Sequence, residues 1–272
     1  MGIEEKMYLI GAFSNGKLAQ AYFDSLSVLG DTVEPIIVQY LRHGEFDEIN
    51  KPQNVKLIKY KKEYPGNTGK HKDFREIISP LLERDVWCIF TDMHDVVFQS
   101  PLPTFPQYSD VILAYEDKKF GEVDYWKSIF PENVWDWNIY NVGCFAMKRD
   151  AIREFWDYLY QNWMDFYQWY KQGTIMRIGH GDSFPFNIPF HEKVKIEMAM
   201  MFNGHYDTLC FNTFVKKKNF SAVRGLFGCY AYQVESGSIQ YENGKLYRDD
   251  ELVSIAHFNG STKEFQIKGV KV

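Results

Sequence analysis

Two carboxylates, Asp92 and Asp95, follow directly on an apolar run at 86–90, in the segment Thr91-Asp92-Met93-His94-Asp95-Val96-Val97-Phe98. Acids at the tip of a strand-like run put negative charge at the mouth of a core. A hard dication would take their oxygens and keep coordination sites open for a phosphate ester. Extended residues alternate faces, so acids three apart point to opposite sides unless the backbone turns between them. A bend at Met93-His94 would bring both to one ion. An unbroken strand would pair Asp92 with His94 instead, a mixed oxygen and nitrogen set. The bend is the expectation, against the plain reading of a turn aspartate with a solvated acid beside it.

A second constellation is Ser254-Ile255-Ala256-His257-Phe258-Asn259-Gly260-Ser261-Thr262-Lys263. A histidine delivered by a strand, then a glycine where backbone must come close, then a lysine, suits a metal ligand followed by a phosphate cradle. Alone, a histidine near a strand end is more often structural. With the acids it completes a convergent set of Asp92, Asp95 and His257 drawn from distant parts of the chain. Glu116 and Asp117, after the apolar run 111–115, are rival bases, with solvated surface acids as the plainer reading.

The elements that must position these groups alternate. Residues 7–13 read as a strand, 17–29 as an amphipathic helix, and 36–41 and 55–60 as further strands, the βαβ pattern of a parallel sheet. Pro65-Gly66-Asn67-Thr68-Gly69 reads as a loop. Phe74, Ile77, Ile78, Leu81 and Leu82 have helical spacing, which Pro80 should end or kink. The run at 86–90 shows no alternation, as expected of a central strand covered on both faces. In open α/β sheets ligands gather outside the carboxyl ends of such strands. A strand at 141–147 precedes a long aromatic helix to about residue 171. Its rings occupy more than one stripe, so core packing competes with a homodimer face on 153–171 or an acceptor platform. Asn243-Gly244 between 238–242 and 245–248 signals a type I′ hairpin.

At 272 residues the chain can bury a sizeable core, and no repeat or linker suggests a domain cut. Its net charge of -5 offers no footprint for nucleic acid. Cys88, Cys144, Cys210 and Cys229 sit among apolar neighbours without C-x-x-C spacing, so they read as reduced core thiols. The first residues lack the pattern of a secretory signal and no run is long enough to span a bilayer, so a cytoplasmic location is expected.

The acid-tipped strand, the Asn141-x-Gly143 strand and His257-x-x-Gly260-x-x-Lys263 occur in an order that resembles the GT-A nucleotide-sugar glycosyltransferases, in particular the glycogenin and lipopolysaccharide galactosyltransferase type. The resemblance implies a single GT-A domain over 1–272: a mixed, mostly parallel α/β sheet flanked by helices, with a C-terminal hairpin. Residues 1–100 would form the nucleotide-binding part, and 101–272 the part that completes the metal site and takes the acceptor. By resemblance, Asp92, Asp95 and His257 hold Mn2+ (or Mg2+), and Gly260 and Lys263 meet the diphosphate. Ala12 and Phe13 lie against the base, and Arg75 lies near the sugar phosphate. Asn141 and Gly143 border the donor sugar and acceptor. Asp182, in Gly181-Asp182-Ser183, binds the donor sugar or acts in catalysis. The implied activity is retaining hexosyl transfer from a UDP-sugar to a hydroxyl on a glycan, lipid-linked or protein acceptor. A sugar-phosphate nucleotidyltransferase and a non-catalytic carbohydrate-binding protein on the same frame are the alternatives. The partial match of Gly11-Ala12-Phe13-Ser14-Asn15-Gly16-Lys17 to a Gly-rich loop weakens the nucleotidyltransferase, and a missing G-x-G-x-x-G disfavours a dehydrogenase.

Overall fold

A computed structural model describes residues 6–106, 108–129, 132–171, 206–218, 220 and 226–258. The first half alternates as its periodicity predicts: β1 (Met7–Phe13), α1 (Gly16–Ser25), β2 (Val33–Leu41), β3 (Lys56–Glu63), α2 (Gly66–Ile77) and β4 (Trp87–Thr91). After a short β5 (Val96–Phe98) come β6 (Val111–Lys119), α3 (Asp124–Ile129), β7 (Asn138–Lys148) and the long α4 (Arg149–Lys171). Strands β1 to β4 pair in parallel, and β7 runs antiparallel to both β4 and β6. The sheet order is β3-β2-β1-β4-β7-β6, so only β7 opposes the rest. This is a mixed, mostly parallel α/β sheet compatible with a Rossmann-like fold. The chain leaves β1 toward β2 on one side and returns to β4 on the other, so a crevice opens between the carboxyl ends of β1 and β4.

Local chemistry explains the helix limits. Asn15 caps α1 by accepting from the Leu18 amide at 3.2 Å. The helix expected over 17–29 is α-helical only to Ser25; a 3-10 turn, Leu26–Leu29, follows and Gly30 (φ 74°) ends it. The segment 65–69 is not a loop. It opens α2, where Gly66 takes φ 81° and a Cβ on Gly69 would stand 2.6 Å from the Pro65 ring. Gly and Pro there serve a helix start, a use that looks like a turn in sequence. Pro80 does end the helix, within the 3-10 turn Ser79–Leu81.

One face of the sheet is covered by α2, α4 and α5 (Tyr206–Lys218), through a ring-rich core that includes Phe74, Phe90, Phe145, Phe155, Trp156 and Phe211. Phe155, Trp156 and Leu159 are fully buried, so one face of the described part of α4 is core, while Arg153, Glu154 and Asp157 on the other are exposed. The rings after residue 161, on which a dimer face depends, lie outside the described side chains. Phe145 stacks on Phe90 at 4.9 Å and lies 4.7 Å from Phe211. Truncating it to alanine would cost about 3–5 kcal/mol.

On the other face, α1 packs with a small sheet of β5, β12 (Ile255–His257) and β8 (Phe227–Cys229), in the order β5-β12-β8. A short α6 (Tyr230–Gln233) follows β8. The hairpin of β9 (Gln240–Glu242) and β10 (Lys245–Arg248) turns at Asn243 (φ 50°) and Gly244 (φ 82°), as a type I′ turn requires, and β11 (Glu251–Leu252) pairs with β10. The four cysteines are all buried. Among the described residues no helix is long and apolar enough to cross a membrane.

Candidate metal centre

Beyond Thr91 the chain bends at Met93 to Asp95 before β5 begins. Met93 anchors the bend: it is buried, and its Cγ lies 2.8 Å from where a Cβ on Gly11 would stand. A side chain at position 11 would expel it. The Asp92 amide donates to the Gly143 carbonyl at 2.6 Å, extending the β4–β7 pairing by one residue. On the far side of the bend, Val96 pairs with His257, and the Phe258 amide donates to the Asp95 carbonyl at 2.7 Å. The β5–β12 ladder therefore sets the histidine beside the second acid. One potential ligand atom from each of Asp92, Asp95 and His257 lies within 4.8 Å of the others, and His257 Nε2 is 3.4 Å from Asp95 Oδ1. The bend brings the acids together, and Asp92 does not need His94 to complete a set.

Gly143 makes the space for this meeting. A Cβ there would stand 2.5 Å from Asp92 Oδ2, 2.8 Å from His257 Cε1 and 2.9 Å from Asn141 Oδ1. Asn141 accepts from the Gly143 amide at 2.7 Å and donates to buried Glu116. Glu116 and Asp117 are not acids beyond a strand end. Strand β6 runs on through both, and Asp117 accepts from Gln233 and Ser238 at 2.9 and 2.7 Å.

The charges are unequal in their surroundings. Burial opposes ionisation of Asp92, but Lys70 and His257 outweigh it and hold the carboxyl below its usual range. Burial likewise opposes the charge on His257, yet the neighbouring Asp95 carboxylate favours it, and the imidazole is raised above its ordinary value. Lys70 is buried and bonded to Asp92. Burial works against its charge too, and Asp92, Tyr64 and Asp207 keep its pKa above normal. Asp207, buried in the first turn of α5, is pushed up to about 7 by burial, with Lys70 opposing the shift and Asp92 adding to it.

Lys70 and Asp207 are the two charged groups that sequence reasoning missed. Arg75, expected near the sugar phosphate, instead pairs with Asp157 and packs on Tyr160 across the α2–α4 contact. Because α2 starts at the carboxyl edge of the sheet, Lys70 sits near that edge. Arg75 is about 7.5 Å further along and turned by roughly 140°. Position within the helix, not charge alone, was the available signal. For Asp207 the signal was an acid opening a helical segment.

Phe13 points its ring into the core against Phe23 at 5.5 Å, so only its backbone can face a ligand; Ala12 is also buried. Asp182, Gly260 and Lys263 lie outside the described residues.

The three side chains fit a divalent ion. Two carboxylates and an imidazole are donors that manganese or magnesium-like ions accept. The buried His257 Nδ1 has no hydrogen-bond partner among the described residues. Compared with known proteins, the chain matches no protein-family model and no curated protein at a significant level.

Proposed function

We propose that the protein is a GT-A-type, metal-dependent glycosyltransferase that moves a sugar from a UDP-linked donor to a hydroxyl acceptor. The observation that carries this reading is the convergence of Asp92, Asp95 and His257 at the carboxyl edge of the sheet, beside the β1–β4 crevice. A bound dication there would neutralise charge on a diphosphate leaving group, which therefore needs no proton from the protein. The chain's own groups supply the rest. Lys70 fixes one oxygen of Asp92 and keeps that carboxylate ionised and aimed. The Glu116–Asn141–Gly143 chain of hydrogen bonds locks the amide that borders the centre. Asp207, buried beside Lys70 and Asp92 and with its pKa raised to about 7, can hold a proton next to the centre, while Asp182, expected to bind the donor sugar or act in catalysis, lies outside the described residues. Acceptors of the glycan, lipid-linked or protein kind present such a hydroxyl, and a cytoplasmic setting would supply the donor.

The test is a donor screen by hydrolysis with Mn2+. Release of UDP from one UDP-sugar, lost in Asp95→Ala, is the expected result. Pyrophosphate release from a nucleoside triphosphate and a sugar phosphate would support the nucleotidyltransferase instead, and inactivity toward every UDP-sugar would count against the proposal.

A further inference from the structure

The loop 42–51 after β2 does not simply cross to β3. Asp47 accepts from the Gly16 amide at 2.9 Å, and Gln20 donates to the Asn50 carbonyl at 2.9 Å, so the loop is pinned along α1. Between it and the outer strands lies an open cavity of about 680 Å³, lined among others by Gln39, Phe46, Asp47, Glu48, Leu57 and Lys59. That size is in the range of small-molecule sites. Gln39 and Lys59 are direct partners in the β2–β3 register, and Leu57 shares their face.

The base of the cavity carries an unmet demand. Gln39 is fully buried, and its Nε2 donates to the Asp47 carbonyl at 2.5 Å, but its Oε1 has no hydrogen-bond partner among the described residues. A buried acceptor without a donor is costly, and because Gln39 lines the cavity, a slight opening at its base would let a ligand hydroxyl reach that oxygen. Around it stand a half-buried phenyl ring, Phe46, held with the Lys59 ammonium 5.4 Å from its centroid, and the acids Asp47 and Glu48. Lys51 is committed to the loop, donating to the Val55 carbonyl at 2.9 Å. Two acids and two lysines line the cavity, so the lining carries no net charge to favour an ionic ligand over a neutral one. An aromatic ring beside planar amide and carboxylate acceptors suits a pyranose, whose hydroxyls donate and whose C–H face packs on the ring.

We infer that this cavity is a second carbohydrate site, taking a neutral oligosaccharide, distinct from the metal centre. It lies over β2 and β3, two to three strand spacings from β4, or roughly 10–14 Å. The assignment does not depend on the transfer reaction proposed above. Saturation-transfer NMR with maltotriose, cellotriose and chitotriose, in EDTA and without nucleotide, tests it. At least one trisaccharide binds saturably, Phe46→Ala weakens that binding about tenfold with its circular dichroism unchanged, and Asp95→Ala leaves it unchanged. Gln39→Leu, if folded, weakens it as well. The assignment is overturned if no trisaccharide binds, if Phe46→Ala binds as the wild type does, or if Asp95→Ala abolishes binding.

Discussion

The two edges of the central sheet carry the same kinds of charged residue in opposite surroundings. At the amino edge, Asp110 pairs with Lys148, Asp150 with Arg149, and Glu154 with Lys218; these acids are 61%, 79% and 56% exposed. At the carboxyl edge, Lys70 and His257 are each 4% exposed and share their neighbourhood with Asp92, Asp95 and Asp207. Solvent screens the first set, so each pair contributes little. The second set is largely shielded, with Asp92 and Asp95 only 26% and 19% exposed, so its members depend mainly on one another and removing Lys70 leaves a mostly buried charge. Charge becomes chemically useful where burial makes it interdependent.

The strongest way to break the contrast is Lys70→Met. It leaves Asp92 and Asp207 without their cation and should destabilise by about 3–5 kcal/mol in urea unfolding. Lys148→Met at the amino edge should cost only about 0–1 kcal/mol. Equal losses would remove the distinction between the edges.

Next in size is the pH dependence set by Asp207. Its carboxyl titrates near 7 in the fold and near its ordinary value when unfolded. Between those values the native state holds the proton more firmly, so stability falls as pH rises from 4 toward 7 and then levels, by roughly 4 kcal/mol at most. Subtracting the profile of Asp207→Asn from that of the wild type isolates this fall. A difference that stays flat over the window contradicts the buried setting.

Gly143→Ala is a smaller insult aimed at the meeting point of Asp92, His257 and Asn141. It should cost about 1–3 kcal/mol as these groups are pushed apart. Its metal-induced thermal shift should shrink even at matched stability. Smallest is Arg75→Ala, which removes a solvent-screened pair with Asp157. A loss under about 1 kcal/mol is expected, with an unchanged response to metal and nucleotide.

These contrasts also mark what could be read from sequence. Strands β1 to β4 and the hairpin were legible because apolar runs, period and Asn243-Gly244 are local signals. The bend after Asp92 was legible only on the premise that both acids hold one ion, since acids three apart point to opposite faces of a straight strand. What stayed hidden depended on distant packing. Met93 is buried because Gly11 lacks a side chain, Gly143 matters for the atoms opposite it, and Lys70 and Asp207 meet Asp92 only once α2 and α5 pack on one face. The start of α2 was misread because Pro65 and Gly66 serve a helix start as readily as a turn.

The most direct measurement is the melting temperature with Mn2+ and UDP together, for wild type and Asp95→Ala. The wild type should gain several degrees, since a ligand at about 100 times its Kd adds about 2.7 kcal/mol, and Asp95→Ala should gain nothing. A full shift in Asp95→Ala, or none in the wild type, would contradict a metal centre built from Asp92, Asp95 and His257.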